Sequence, residues 1–188
     1  MNKTLRATEF SHFVLDRFIL PGQTVIDATA GNGIDTLFLA ERVTKTGKVY
    51  AFDIQKNALE KTKALLNEAG HLKQVSLIHD SHENIKDYVE GPLHSVIFNL
   101  GYLPGGDKSI ITEKESSLQS LRYCVEVLVP GGVIAIVAYP GHAGGNQEAC
   151  AIEAYLAKLP SPPWYVLSWK RVNGTGKAPY FLLAQKRI

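Results

Sequence analysis

The chain has 188 residues, 45% of them hydrophobic and 20% charged, with 20 Lys and Arg against 18 Asp and Glu for a formal charge of +2. That length suits one domain with a real core, and the composition excludes collagen, disorder and a disulfide scaffold, because Cys124 and Cys150 are the only cysteines. The near-zero net charge on its face argues against a nucleic-acid partner. Both thiols are read as inert and buried. The longest apolar run, Val133 to Tyr139, is far short of a membrane span, and MNKTLRATEF lacks a signal-peptide core, so a cytoplasmic location without a membrane partner is expected.

Residues 8–20 place Phe10, Phe13, Val14, Arg17 and Phe18 at spacings of three and four, which predicts an amphipathic helix ended by Pro21-Gly22. Beyond it, short β-branched runs at 24–27, 48–52, 74–78, 95–99 and 132–139 alternate with helical segments near 34–43, 57–68 and 118–128. Gly47, Gly70 and Pro130-Gly131-Gly132 fall where those helices must stop. After a helix at 147–158 come Pro160-Ser161-Pro162-Pro163, a strand at 164–172, a turn at Asn173-Gly174 and a last strand at 180–184. The βαβ alternation predicts an α/β fold, a doubly wound, mostly parallel, seven-stranded Rossmann-like sheet, with the last two strands as a C-terminal antiparallel hairpin.

The most informative stretch is Val25-Ile26-Asp27-Ala28-Thr29-Ala30-Gly31-Asn32-Gly33-Ile34-Asp35-Thr36, an apolar strand that breaks into a Gly loop and opens a helix. Gly31 and Gly33 would let backbone approach a ligand beside a helix N-terminus. Twenty residues beyond Gly33, Asp53 closes the second strand, where a carboxylate can accept both hydroxyls of an adenosine ribose. A dinucleotide site wants a third small residue where Thr36 stands. Asp27 is also poorly placed for a pyrophosphate and well suited to a methionine ammonium. An NAD-dependent oxidoreductase therefore fits least.

The D-x-x-x-G-x-G loop resembles motif I of the class I S-adenosylmethionine-dependent methyltransferases, and Asp53 matches the acid of their second motif. Asp80-Ser81-His82 follows the third strand, where that family reads the adenine ring. The fourth strand delivers Asn99-Leu100-Gly101-Tyr102-Leu103-Pro104-Gly105-Gly106-Asp107, which resembles the Asn-Pro-Pro-Tyr signature of nitrogen-directed methyltransferases, with Leu-Gly in place of Pro-Pro. A carbonyl at Asn99 and neighbouring backbone carbonyls can accept N–H bonds and turn an amine lone pair toward a methyl carbon, in an in-line transfer governed by positioning. Gly101 in place of proline suits an aliphatic amine. His142, in the loop from Tyr139 to Asn146, can take a proton from a substrate ammonium. His12, His71, His79 and His94 lack the spacing of a metal site and read as surface or locally bonded groups.

Together, D-A-T-A-G-N-G-x-D-T, F-D-I-Q, D-S-H, N-L-G-Y-L-P-G-G-D and Y-P-G-H-x-G-G resemble a small bacterial family once labelled rRNA methylases and now understood as tRNA 5-aminomethyl-2-thiouridine methyltransferases. The resemblance implies a single class I domain over 1–188, with a cofactor half at 21–90 and a substrate half at 91–188. It implies S-adenosylmethionine as cofactor, leaving as S-adenosylhomocysteine, and no metal. Asp27, Thr29, Gly31, Asn32, Gly33, Asp35, Asp53, Gln55, Ser81 and His82 would hold the cofactor. Asn99, Tyr102 and His142 would act on the acceptor, and Tyr139 and Gly141 would shape its side of the site.

The charge also divides by position. Glu153 is the last acid, and Lys158, Lys170, Arg171, Lys177, Lys186 and Arg187 follow it, so residues 1–153 carry −4 and residues 154–188 carry +6. That asymmetry marks a phosphate-facing surface, with Lys170 and Arg171 as RNA contacts and Lys3 and Arg6 as supplements. Tyr102, Tyr139 and Trp164 are candidates to stack a splayed base, although Trp164 reads first as a core residue. The expected partner is the anticodon region of tRNA, with a homodimer left open. An rRNA or small-molecule amine acceptor, and a non-catalytic RNA-binding module, remain as alternatives.

Overall fold

The computed structural model describes residues 5–101, 111–173 and 176–188. In chain order the elements are helix α1 (Ala7–Leu15), strand β1 (Thr24–Asp27), α2 (Ile34–Val43), β2 (Lys48–Asp53), α3 (Lys56–Glu68), β3 (Val75–His79), β4 (Leu93–Leu100), α4 (Lys114–Val127), β5 (Leu128–Ala138), α5 (Gly145–Leu156), β6 (Trp164–Trp169) and β7 (Tyr180–Lys186). They form one seven-stranded sheet in the order β3-β2-β1-β4-β5-β7-β6. Strands β1 to β5 pair in parallel, and β7 is antiparallel to both neighbours. This is the expected Rossmann-like architecture.

Both faces of the sheet are covered, which is why apolar residues run consecutively in its central strands, as in Val96-Ile97-Phe98 and Val133 to Ala138, rather than alternating. In β5, Ile134, Ile136 and Ala138 join a core layer with Leu121, Cys124, Ile152 and Leu156 of α4 and α5. Val133, Ala135 and Val137 face the other way, into a layer with Leu15, Leu39, Val43, Leu59 and Leu66 of α1, α2 and α3. No helix among the described residues is long and apolar enough to cross a membrane.

Several expectations change. Helix α1 stops at Leu15, five residues before the predicted end, because Asp16 caps it and its carboxylate pairs with Arg42 of α2. The Leu15 carbonyl then accepts the N–H groups of Phe18 and Ile19, and the apolar residues beyond it pack in a turn. Pro130-Gly131-Gly132 does not stop α4. It lies inside β5 beside the register irregularity between Leu93 and Ser95, and Gly131 takes the left-handed φ of +85°. The sixth strand ends at Trp169, three residues early, and Gly174 of the expected turn lies outside the described residues. Cys124 is buried, and burial pushes its thiol up, whereas Cys150 is exposed because its side of α5 faces solvent.

Candidate active site

Strand order reverses between β1 and β4, whose carboxyl ends therefore part and open a cleft. The backbone closes just below it: Ala28 N–H donates to the Ile97 carbonyl at 2.9 Å and Asn99 N–H to Thr29 Oγ1 at 2.8 Å. A cavity of about 1320 Å³ occupies this edge. Because β7 is reversed, the connection between β6 and β7 returns to the same edge, and Trp169, Lys170, Arg171, Ala178 and Pro179 close one side of the cavity. The start of α1 closes another, with Arg6, Glu9 and His12.

Of the sequence-predicted residues, Thr29, Gly31, Asn32, Asp35, Asp53, Gln55, Ser81 and His82 line this cavity, as do Asn99, Tyr139, Arg6, Lys170 and Arg171. Lys3 and Tyr102 lie outside the described residues. Asp27, Gly33, Gly141 and His142 are placed otherwise, each for a physical reason. Gly33 caps α2 with φ +84°, and a Cβ there would come within 2.9 Å of Thr62, so it serves the packing of α2 on α3. A Cβ on Gly141 would meet the Lys177 carbonyl at 2.9 Å. The His142 ring packs behind the wall, against Gly145, where a Cβ would stand 2.6 Å from Nε2, and beside Gly101. Trp164 is core, the first of its two readings.

The half formed by β1 to β3 is held by bonds between the loops at neighbouring strand ends. Gly31, at φ +53°, turns its N–H onto Asp53 Oδ2 at 2.8 Å, and Gln55 N–H donates to Oδ1 at 2.8 Å. The Asp53 carboxylate is thus fixed at the cavity edge with lone pairs to spare. Burial raises its pKa, and those two N–H bonds pull it back. Phe52 and Ile54 flank it as apolar wall. His82 is buried, bonded to the Ala28 carbonyl, and burial depresses it to about 4, so the ring is neutral near pH 7. Behind it, Ser117 Oγ lies 3.4 Å from His82 Nε2 and donates to Glu148 Oε1 at 2.6 Å, while Thr112 Oγ1 donates to Oε2 at 2.9 Å. Burial raises Glu148 as well.

Two acids meet under the cavity floor. Asp27 is fully buried, with Thr36 Oγ1 donating to Oδ2 at 2.6 Å and Thr29 N–H to Oδ1 at 3.1 Å. Burial and the Asp35 carboxylate push it up to about 8, so it is protonated near pH 7. Asp35, in the first turn of α2, is the carboxylate that reaches the cavity. Its Oδ1 bonds His12 Nε2 at 2.5 Å, and its Oδ2 accepts Asn99 Nδ2 at 3.1 Å. His12 is therefore neither a surface group nor a locally bonded one, its partner lying 23 residues away.

On the side of α1 and the hairpin, Trp169 stacks on Phe10 with centroids 4.6 Å apart, and Phe181 meets Phe10 edge-on at 5.6 Å. Lys170 is partly neutralised: it donates to Glu153 Oε1 at 2.5 Å and lies 4.3 Å above the Tyr180 ring. Arg6 and Arg171 are exposed. Sequence reasoning missed His12 and Trp169. An aromatic followed by two cations, Trp169-Lys170-Arg171, was a usable signal for the second; nothing local marks the first. No group of three or more His, Cys, Asp or Glu side chains among the described residues is arranged to hold a metal ion.

Residues 49–185 match the model of the family described as "Putative rRNA methylase". A chloroplastic tRNA (mnm(5)s(2)U34)-methyltransferase of Arabidopsis thaliana is 42% identical over 178 residues, 89% of this chain and 65% of that protein, so the chain spans somewhat less than two thirds of that relative. Among solved structures, the putative rRNA-methylase from Clostridium thermocellum superposes with a TM-score of 0.93 at 36% identity, covering 98% of this chain and all of that one. SMU.1697c, a putative methyltransferase from Streptococcus mutans in complex with SAH, gives 0.88 at 36% identity over 98% and 99% of the two chains.

Proposed function

The chain belongs to the rRNA_methylase family, within the class I S-adenosylmethionine-dependent methyltransferases, and from that premise we propose that it methylates the exocyclic aminomethyl nitrogen of a wobble uridine, 5-aminomethyl-2-thiouridine, in the anticodon region of tRNA. The observation that carries the reading is the placing of Asn99: its Nδ2 is committed to Asp35, which leaves the carbonyl Oδ1 to the cavity that Arg6 and Arg171 also line. An acceptor amine needs such a carbonyl, and an RNA strand needs such cations.

The residues fit the cofactor. Gly31 brings bare backbone to the cavity, Asp53 offers a fixed carboxylate to a ribose, and Phe52, Ile54 and neutral His82 form an apolar seat for an adenine. Thr29, Asn32, Asp35, Gln55 and Ser81 complete that side, with Asp27 acting from beneath through Asp35. When bound, S-adenosylmethionine supplies an electrophilic methyl carbon. The chain's part is positional: Asn99 Oδ1 accepts an N–H of the acceptor amine and aims its lone pair, and Tyr139 bounds the acceptor's space. Residues 21–90 thus serve the donor and 91–188 the acceptor, joined there by α1. Arg6, Arg171 and, more weakly, Lys170 contact phosphates, and Trp169 offers an aromatic edge to a base. The Arabidopsis relative's name supports this acceptor.

Nucleoside mass spectrometry of tRNA from a deletion strain tests the reading. Accumulated 5-aminomethyl-2-thiouridine lacking its methyl is the expected result. Unchanged tRNA with a methyl lost from rRNA would replace it by the rRNA reading.

A further inference from the structure

We infer that His12 is a positioning residue for methyl transfer: it holds the Asp35 carboxylate, which holds the Asn99 amide with its carbonyl oxygen turned to the acceptor. The inference rests on Asn99 as the group that accepts the amine's N–H. A carboxamide turned by half a rotation would offer its NH2 instead, a donor facing a donor. Asp35 forbids that rotation, because a carboxylate only accepts and so binds Nδ2, at 3.1 Å. Asp35 needs a restraint of its own. Its side chain is 9% exposed, and besides Asn99 it is held by His12 Nε2 at 2.5 Å.

The histidine is itself prepared for this. Facing a carboxylate, Nε2 carries the proton. The ring lies flat on Phe38 of α2, with centroids 4.1 Å apart and planes 6° apart, so its rotation is blocked as well. Phe38 and Asp35 share one helix, and α1 brings His12 to both from outside the sheet. An apolar residue at position 12 would pack on Phe38 as well and leave Asp35 half-satisfied, and Asn99 free to turn. Positioning to well under an ångström is where methyl transfer loses most when a support is removed.

Two substitutions separate the bond from the packing. His12→Phe keeps a ring on Phe38 and deletes the N–H; His12→Gln keeps a donor near the Nε2 position. With aminomethyl-uridine RNA, kcat of His12→Phe is expected to fall at least about tenfold, with S-adenosylhomocysteine affinity within about twofold of the parent by calorimetry, and His12→Gln to regain most of the loss. In an Asn99→Ala background, His12→Phe costs nothing further, as expected of residues acting in series. The side-chain amide resonance of Asn99, assigned by its absence in Asn99→Ala, shifts in His12→Phe and returns in His12→Gln without any substrate. A His12→Phe enzyme with parental kcat, a loss that adds to that of Asn99→Ala, or an unmoved Asn99 amide overturns the inference. If the parent methylates no such RNA, the acceptor reading falls, and the amide spectrum still decides the role of His12.

Discussion

The two sides of the cavity are built differently. The donor side takes its groups from the ends of β1, β2 and β3, each within a few residues of a strand, and fixes them by backbone bonds such as Gly31 to Asp53 and Gln55 to Asp53. The acceptor side is assembled from residues far apart in sequence: α1, Asn99, Tyr139 and the β6–β7 connection. One side is mostly uncharged or acidic, the other cationic and contributed by both ends of the chain. The contrast teaches that a cofactor pocket can be written locally, whereas the surface that chooses a substrate is written by topology.

Each substitution below should damage one side and spare the other. Asn99→Ala should lower kcat by about 100-fold or more while S-adenosylhomocysteine affinity stays within about threefold, since it removes an acceptor-side contact only; equal losses in both would merge the two sides. Asp53→Ala should weaken S-adenosylhomocysteine about 100-fold by calorimetry, with RNA affinity by filter binding little changed. Arg6→Ala with Arg171→Ala should raise KM for RNA about tenfold and flatten the salt dependence by about two phosphates' worth, and leave donor affinity alone. A parental salt slope in that double variant would move the RNA elsewhere.

The buried acid gives a fourth, on stability. Asp27 binds a proton in the folded chain up to about pH 8 and in the unfolded chain only below its ordinary range, so its contribution is full in acid and is lost as pH rises from about 4 to about 8. Asp27→Asn should remove that decline, raising Tm at pH 8 by a few degrees relative to the parent and flattening the profile. His82 acts in the opposite sense, losing stability as pH falls from about 6.5 toward 4, because only the unfolded chain takes up its proton there. The smallest effect is expected at His142: the ring stands behind Gly101 and Gly145, so His142→Gln should keep the parent's acid-side rate loss, which then belongs to the acceptor ammonium itself.

What could be read in advance follows the same division. The alternating apolar runs forecast every strand, because a parallel sheet buried on both faces needs them, and the hairpin was legible from its Gly-rich turn. Gly31, Asp53, Ser81 and His82 were legible because strand-end loops have a fixed relation to the cleft. Gly33 and Asp27 show the limit: the motif names both, but only packing shows that one glycine serves Thr62 and that one acid is covered by Thr36. His12 with Asp35, and Trp169 on Phe10, depend on α1 docking over the sheet, a contact across more than 150 residues in the second case. Periodicity ran past Leu15 for a related reason, since Phe18 is apolar for the sake of the core rather than of a helix.

The reversed strand β7 has a consequence for how such a chain can diversify. Were it parallel to β5, the segment leaving β6 at the cavity edge would have to cross to the far edge of the sheet before β7 began, and Ala178 and Pro179 would be carried away from the cavity. Running backwards, it gives the hairpin a tip whose described residues Lys170, Arg171, Ala178 and Pro179 line the cavity. Such a tip can be lengthened, shortened or exchanged between relatives as a cartridge, changing which nucleic acid is gripped while the methyl-donor pocket stays as it is. A chimera carrying another family member's 170–179 should inherit that member's salt sensitivity and keep this chain's donor affinity.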